Sequence, residues 1–146
     1  MIKKFLLYAI EIFLIFIFTY NFVTVVLKKD FVIFNTGIYI SNDDSANLIF
    51  ATKKDEYVVN ETIVYKKADI LMIRDIAQIE NEQIIKTKAK NNIDNDSWSI
   101  SKEDILGEYQ FEIKKAGKIF KIFQNIFLLT ILGCVIITLH RKIKKI

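Results

Sequence analysis

The chain has 146 residues and a formal net charge of +4 at pH 7, which allows one small domain together with membrane anchors. Hydrophobic residues make up 52% and charged residues 26%, a mixture that arises when apolar segments and a polar domain share one chain. The segment from Asp30 to Gly117 holds 11 basic and 16 acidic residues, whereas the remainder holds 10 basic residues and one acidic residue. The positive charge thus flanks the apolar ends, where it would face lipid headgroups, and no nucleic-acid partner is expected.

The first apolar segment, Phe5 to Leu27, is long enough to cross a hydrocarbon core of about 30 Å as a helix. It lacks the short apolar region and the Ala-x-Ala-like exit of a cleaved signal peptide, so we expect an uncleaved anchor. Glu11 lies about 9 Å inside this segment. It could pair with His140 or Arg141 of an antiparallel second span. The favoured interpretation is a carboxyl that is hydrated near the headgroups or protonated.

The second apolar segment runs from Ile119 to Leu139, although only Ile126 to Leu139 is free of polar residues such as Lys121, Gln124 and Asn125. A span is favoured over an amphipathic helix docked at the interface. The lone Cys134 in this segment is expected to be a buried apolar residue, and no disulfide, metal site or cofactor is predicted.

The basic tail Arg141-Lys142-Ile143-Lys144-Lys145 favours a cytoplasmic C-terminus, and two spans place both termini on one side. The predicted organisation is therefore cytoplasmic residues 1–4, a transmembrane helix at 5–27, an extracytoplasmic domain at 28–118, a transmembrane helix at 119–140 and a cytoplasmic tail at 141–146. The predicted location is the cell membrane.

Short apolar runs in the central segment predict strands at Leu48-Ile49-Phe50 and Thr62-Ile63-Val64-Tyr65. The stretch Ile70 to Glu80 has isoleucines every three residues, which suits a helix as well as a strand. Asn81-Glu82 could turn such a strand back into Gln83 to Thr87. Ser101 is a candidate N-cap for a short helix.

Several short motifs then follow one another along the central segment. They are Phe34-Asn35-Thr36-Gly37-Ile38-Tyr39, Leu48-Ile49-Phe50-Ala51, Asn60-Glu61-Thr62-Ile63-Val64-Tyr65, Ile73-Arg74, Thr87-Lys88-Ala89-Lys90-Asn91-Asn92 and Ile105-Leu106-Gly107. Their order is similar to that in type I signal peptidases of the single-domain kind found in the endoplasmic reticulum and some Gram-positive bacteria. The chain resembles this family over roughly Phe34 to Gly117. The resemblance implies a small, mostly β fold between two transmembrane α-helices, with a peptide groove at Thr36, Gly37, Ile38, Tyr39, Ile73 and Arg74.

The departures from the family fall on its chemistry. The resemblance implies a serine nucleophile with a lysine or histidine base and, in the histidine type, a supporting aspartate. This chain has Ile38, Ile73 and Lys90 at those places. An isoleucine can neither attack a carbonyl nor accept a proton, and Arg74 stays protonated at any physiological pH. No catalytic residue is therefore predicted. An apolar cluster of Ile38 with Ile73 would rule out the enzyme, since two facing isoleucines would then pack where a polar dyad would otherwise lie.

The first hypothesis is a catalytically silent signal-peptidase-like protein that binds secreted, surface or pilus protein precursors, or a sortase or active signal peptidase, at the outer membrane face. The second is an active peptidase with an atypical site, in which Ser41 or Ser45 is activated by Lys53 or Lys54. The third is a structural two-span membrane subunit. Trp98 is expected to anchor the polar loop from Asn91 to Ser97 by packing.

Overall fold

The computed structural model describes residues 2–81 and 83–144, so Met1, Lys145, Ile146 and the Glu82 half of the predicted Asn81-Glu82 turn lie outside the described residues. The chain divides into two compact units. One comprises the chain up to Phe31 and from Ala116 onward, and the other is Val32–Lys115.

The helical unit contains two helices that are long and apolar enough to cross a membrane. Helix α1 spans Ile2–Asn21 and continues as a π-helical turn at Phe22–Val26. After the sheet come a short helix α2, Gly117–Ile122, and a long helix α3, Ile126–Lys144. The predicted second span is thus broken before Ile126. Asn125 explains the break, because its Oδ1 accepts a hydrogen bond from Phe127 N at 2.8 Å and caps the start of α3.

Helices α1 and α3 pack as an antiparallel pair. The ring of Phe18 lies against Gly133, where an added methyl group would come within 3.2 Å of Phe18 Cε2. Further along, Glu11 Oε1 lies 2.7 Å from His140 Nδ1 and the Glu11 side chain is only 8% exposed. The structure therefore pairs Glu11 with His140, one of the two partners that the sequence left open, rather than leaving the carboxyl hydrated near the headgroups. Cys134 is exposed rather than buried, since it lies on a face of α3 that α1 does not cover.

An aromatic cluster fixes the other end of α1. Tyr20 meets Phe120 edge to face with ring centroids 4.9 Å apart, and Phe16 meets Phe31 in the same way at 5.7 Å. Tyr20, Phe31 and Phe120 are buried. Aromatic pairs in this geometry stabilise packing beyond the area that they bury.

The β unit is a mostly antiparallel sheet of eight strands. They are β1 Phe31–Ile33, β2 Thr36–Ile40, β3 Leu48–Thr52, β4 Thr62–Lys67, β5 Ile70–Glu80, β6 Ile84–Lys88, β7 Ser99–Ser101 and β8 Ile105–Ile113. Their order in the sheet is β1-β2-β3-β8-β4-β5-β6-β7, so the last strand lies in the middle. The predicted strands at Leu48 and Thr62 are confirmed as β3 and β4.

Turn geometry sets two of the hairpins. Phe34 and Asn35 join β1 to β2 with φ of 47° and 65°, and Ala68 and Asp69 join β4 to β5 with φ of 48° and 63°. Two successive residues with positive φ form a type I′ turn, whose twist matches that of the flanking strands. The predicted N-cap is also confirmed, because Ser101 closes a capping box with Asp104 at a single 3₁₀ turn, Lys102–Asp104.

Two apolar cores occupy opposite faces of β4, whose residues Ile63, Val64 and Tyr65 are all buried. Ile63 and Tyr65 belong to the larger core, together with Tyr57, Ile76, Ile85, Ile100 and Ile105. Val64 belongs to the smaller core, together with Tyr39, Ile49 and Ala51. Successive residues of a strand point to opposite faces, so a fully buried run indicates a strand that is covered on both sides.

A bulge in β5 brings two of its regularly spaced isoleucines to the same face. The register with β6 shifts between Ile76 and Gln78, which leaves Ala77 as the extra residue. This shift lets Ile79 pack against the same core as Ile76, although the two residues are three positions apart in the strand. The helix alternative for this segment is therefore wrong.

Candidate functional site

The residues of the predicted groove lie first of all on β2. Gly37 pairs with Ala51 and Ile38 with Phe50 of β3, while β1 lies along the other side of β2. Ile38 is buried, with 5% of its surface exposed. Ile38 is therefore an apolar strand residue inside the protein, where the resemblance would imply a nucleophile.

Gly37 leaves room for the ring of Tyr39, which folds back along the strand. A methyl group at Gly37 would come within 2.3 Å of Tyr39 Oη and 2.5 Å of two ring carbons. Tyr39 is buried in the smaller core. The glycine of this motif thus serves the packing of a tyrosine, which is a structural requirement that does not depend on catalysis.

Ile38 and Ile73 do not meet, so the structure lacks the apolar cluster that would have marked the place of a lost dyad. Ile73 packs against the smaller core, which contains Tyr39. Ile38 is adjacent to Tyr39 in the strand and therefore points to the opposite face. In addition, β3, β8 and β4 lie between β2 and β5 in the sheet. The structure brings Ile73 to the core that holds Tyr39 and leaves Ile38 opposite Phe50.

Arg74 belongs to a hydrogen-bonded network on the other face of β5. Its Nε lies 3.5 Å from Asp96 Oδ2, an ion-pair contact rather than a hydrogen bond, and its Nη1 donates to Ile73 O at 2.9 Å. Asp96 Oδ2 accepts a hydrogen bond from Thr87 Oγ1 at 2.6 Å. The backbone N–H of Asp96 donates to Thr87 O at 2.7 Å.

The network continues into the larger core through Tyr65 and Trp98. Trp98 Nε1 donates to Tyr65 Oη at 3.2 Å, and Tyr65 Oη lies 3.3 Å from Thr87 Oγ1. Lys67 Nζ lies 4.0 Å from the centre of the Trp98 ring, within the range of a cation–π contact. The prediction that Trp98 anchors the Asn91–Ser97 loop is confirmed. The anchoring hydroxyls of Tyr65 and Thr87 were not predicted, because nothing in their sequence spacing indicates that they meet.

Lys90 is the third of the positions at which the resemblance implies a catalytic residue. It is exposed in the turn that follows β6. The turn is closed by a hydrogen bond from Asn92 N to Ala89 O at 2.9 Å. Lys90 therefore lies outside both cores, and the cation beside Asp96 is Arg74.

The serines and lysines of the alternative catalytic pair lie at opposite ends of β3. Ser41 and Ser45 both donate to Asp43 Oδ1 in the turn before this strand, with the Ser45 distance at 2.6 Å. Lys53 and Lys54 follow the strand at its other end, about 17 Å away for five extended residues. The structure does not bring these hydroxyls to an amine, and an adjacent carboxylate acceptor does not make a serine more acidic.

Lys54 instead bridges two carboxylates. Its Nζ lies 2.8 Å from Glu61 Oε1 and 2.9 Å from Glu108 Oε2, and these hydrogen bonds raise the pKa of the ammonium. Burial acts to raise the pKa of Glu61, but the hydrogen bonds from Lys54 and from Val58 N outweigh it, so the pKa is lowered. The cluster fastens the loop between β3 and β4 to β8.

This cluster predicts an acid-sensitive contribution to stability. The folded-state pKa of Glu61 lies below its ordinary value, so its contribution is present above that value and disappears as the pH falls through the folded-state pKa. Glu61→Gln should lower the free energy of unfolding by about 1 kcal/mol at neutral pH. Denaturant titrations of the full chain, followed by Trp98 fluorescence at several pH values, should show this difference shrinking as the pH falls below about 4, the ordinary pKa of a glutamate. The exposed Glu56→Gln serves as the control, and a pH-independent difference would contradict the assignment.

Two neighbouring cavities share Tyr57 and Lys102. One, of about 260 Å³, is also lined by Glu56, Ile79 and Ile85. The other, of about 400 Å³, also has Lys53, Lys54, Asp55, Gln83, Ser101, Glu103 and Ile105 in its lining. Charges of both signs line them, which favours no one class of charged ligand. Among the described residues no group of three or more His, Cys, Asp or Glu side chains could hold a metal ion.

No family model, curated protein or solved structure matches the chain. The buried Ile38 and the separated serines and lysines are the features of the described residues that bear most directly on function.

Proposed function

We propose that the protein is a catalytically inactive, signal-peptidase-like membrane protein that binds extended segments of secreted, surface or pilus protein precursors. The main support is Ile38, a buried strand residue at the place where the resemblance implies a nucleophile. A hydroxyl nucleophile requires a base within hydrogen-bond reach. The hydroxyls of the candidate serines are hydrogen-bonded to Asp43, and the Lys54 ammonium forms ion pairs with Glu61 and Glu108.

The apolar length of α1 and α3 and the basic residues at the end of α3 support the proposed position of the protein in the membrane. Both helices can cross a bilayer, and Arg141, Lys142 and Lys144 lie in the last turn of α3. Basic residues next to a span favour the cytoplasm, so both termini are proposed to be cytoplasmic and the sheet extracytoplasmic. In that position the sheet would meet precursors that have crossed the membrane, as well as a sortase or an active signal peptidase.

The most suitable binding edge is β1. Since β2 has neighbours on both sides, its backbone cannot accept a further strand, and the groove proposed at Thr36–Tyr39 lies one strand inside the sheet. Strand β1 is an edge, and its residues Val32 and Ile33 are exposed. An extended segment that pairs with β1 would gain backbone hydrogen bonds, which require no catalytic side chain.

Site-specific photo-crosslinking in intact membranes tests the proposal. A crosslinking side chain in place of Phe34, which is 97% exposed beside β1, should capture precursor proteins. The same side chain in place of Ile93, which is 96% exposed in the Asn91–Ser97 loop, should not. Capture only of other resident membrane proteins would support the structural-subunit hypothesis instead.

A cleavage assay addresses the peptidase hypothesis directly. The purified full chain in detergent should leave precursor proteins intact. Ile38→Ser should be equally inactive, because the strand partner of this position is Phe50, which cannot act as a base. Release of a mature product by the unmodified chain would overturn the proposal.

A further inference from the structure

The contact between Glu11 and His140 joins the only acidic residue of α1 to the only histidine of the chain. The two groups lie 2.7 Å apart, and the Glu11 side chain is 8% exposed while that of His140 is 48% exposed. A carboxylate within an apolar span is costly unless it is paired. Glu11 therefore depends on the protonation state of His140, and the contact between the helices depends on both groups.

The pair can bind no proton, one proton or two. With one proton, a cationic imidazole donates to a carboxylate, which is the charge-assisted arrangement and the strongest hydrogen bond. With none, the buried carboxylate keeps its charge and loses the compensating cation. With two, the carboxylate is neutralised and the imidazolium loses its counter-charge. Removal or addition of a proton thus weakens the same contact.

Other charged or titratable groups lie nearby on both helices, whereas the ion pair of Glu11 is with His140. They are Lys4 and Tyr8 on α1 and Arg141, Lys142 and Lys144 on α3. Tyr8 and the three basic residues of α3 are exposed.

We propose that Glu11 and His140 form a proton-sensitive latch, which holds α1 against α3 when the pair carries one proton and loosens the helix pair at lower and higher pH. The dependence of helix–helix proximity on pH is therefore bell-shaped, as expected for two coupled titrating groups. This device is independent of precursor binding at β1.

Distance measurements in proteoliposomes test the latch. Spin labels on cysteines that replace the exposed residues Ile12 and Ile137, in a Cys134→Ser background, report the separation of the two helices by double electron–electron resonance. From about pH 4 to about pH 9, where carboxyl and imidazole groups ordinarily titrate, the distance distribution should be narrowest in the middle and broaden toward both ends.

Glu11→Gln supplies the matched control, because the amide keeps the size of the side chain and a hydrogen-bonding oxygen but does not titrate. In this variant the distance distribution should no longer broaden as the pH is lowered. A Glu11→Gln profile identical to that of the parent, or a parent profile that does not change with pH, would overturn the proposal. Circular dichroism at each pH checks that the helices themselves stay folded.

Discussion

Replacement of Gly107 by alanine should destabilise the β unit by about 3 kcal/mol, because a new methyl group would collide with rigid backbone. A Cβ at this position would lie 2.8 Å from both the C and the O atoms of Thr52 and 2.9 Å from Ala51 C. Neither β3 nor β8 can move aside without breaking pairs in the centre of the sheet. The measurement is denaturant unfolding of the full chain in detergent, followed by the fluorescence of Trp98, the only tryptophan.

Gly133→Ala is the matched substitution in the helical unit. There the new methyl would approach the Phe18 ring, with Cε2 at 3.2 Å, and alanine favours a helix over glycine by up to about 1 kcal/mol. We expect a change within about 1 kcal/mol of zero. If the two substitutions had equal effects on the unfolding followed by Trp98 fluorescence, the close approach of β8 to β3 would not explain why a glycine is needed at position 107.

Replacement of His140 by leucine should weaken the α1–α3 pair by about 3 kcal/mol, because it leaves the Glu11 carboxyl buried without its partner. Glu11→Leu should cost less, since the half-exposed imidazole can then reach polar surroundings. The double substitution should recover most of the loss, because two apolar side chains need no hydrogen bond.

The order of these three variants is the decisive result. It can be measured by SDS titration in mixed micelles, with energy transfer between dyes on cysteines that replace Ile12 and Ile137 as the readout. A His140→Leu variant that is no weaker than Glu11→Leu would show that the carboxyl finds another partner or reaches water.

The local elements of the fold were largely predictable because each depends on neighbouring residues. Apolar runs predicted β3 and β4, and Ser101 predicted a capped turn. The three-residue spacing of the isoleucines in β5 suited a helix as well as a strand. The bulge at Ala77 depends on pairing with β6, which lies outside that stretch of sequence. Similarly, the break before α3 depends on the side chain of Asn125, which a hydropathy pattern does not resolve.

The candidate site was less predictable, because it depends on which strands become neighbours. That Ile38 is no nucleophile is visible in the sequence alone, but its separation from Ile73 follows from the order of the strands. The partnership of Thr87, Asp96, Tyr65 and Trp98 likewise joins four positions whose spacing matches no motif.

The pairing of Glu11 was not the favoured interpretation of the sequence, although an antiparallel pair of spans limits which residues can reach it. The sequence narrowed the partner to His140 or Arg141, which are neighbours at the end of the second apolar segment. Only the rotation of α3 about its axis decides between them, and the structure gives His140.

The central place of β8 has a consequence for synthesis. Until Ile105–Ile113 is available, β3 and β4 each have an open edge, and the sheet exists only as two separate halves. Open edges pair readily with other chains, and a strand that joins late slows folding. A nascent chain that stops short of Ile105 is therefore expected to aggregate or to be degraded, whereas one that reaches Lys115 can close its sheet before the residues of α3 have been made.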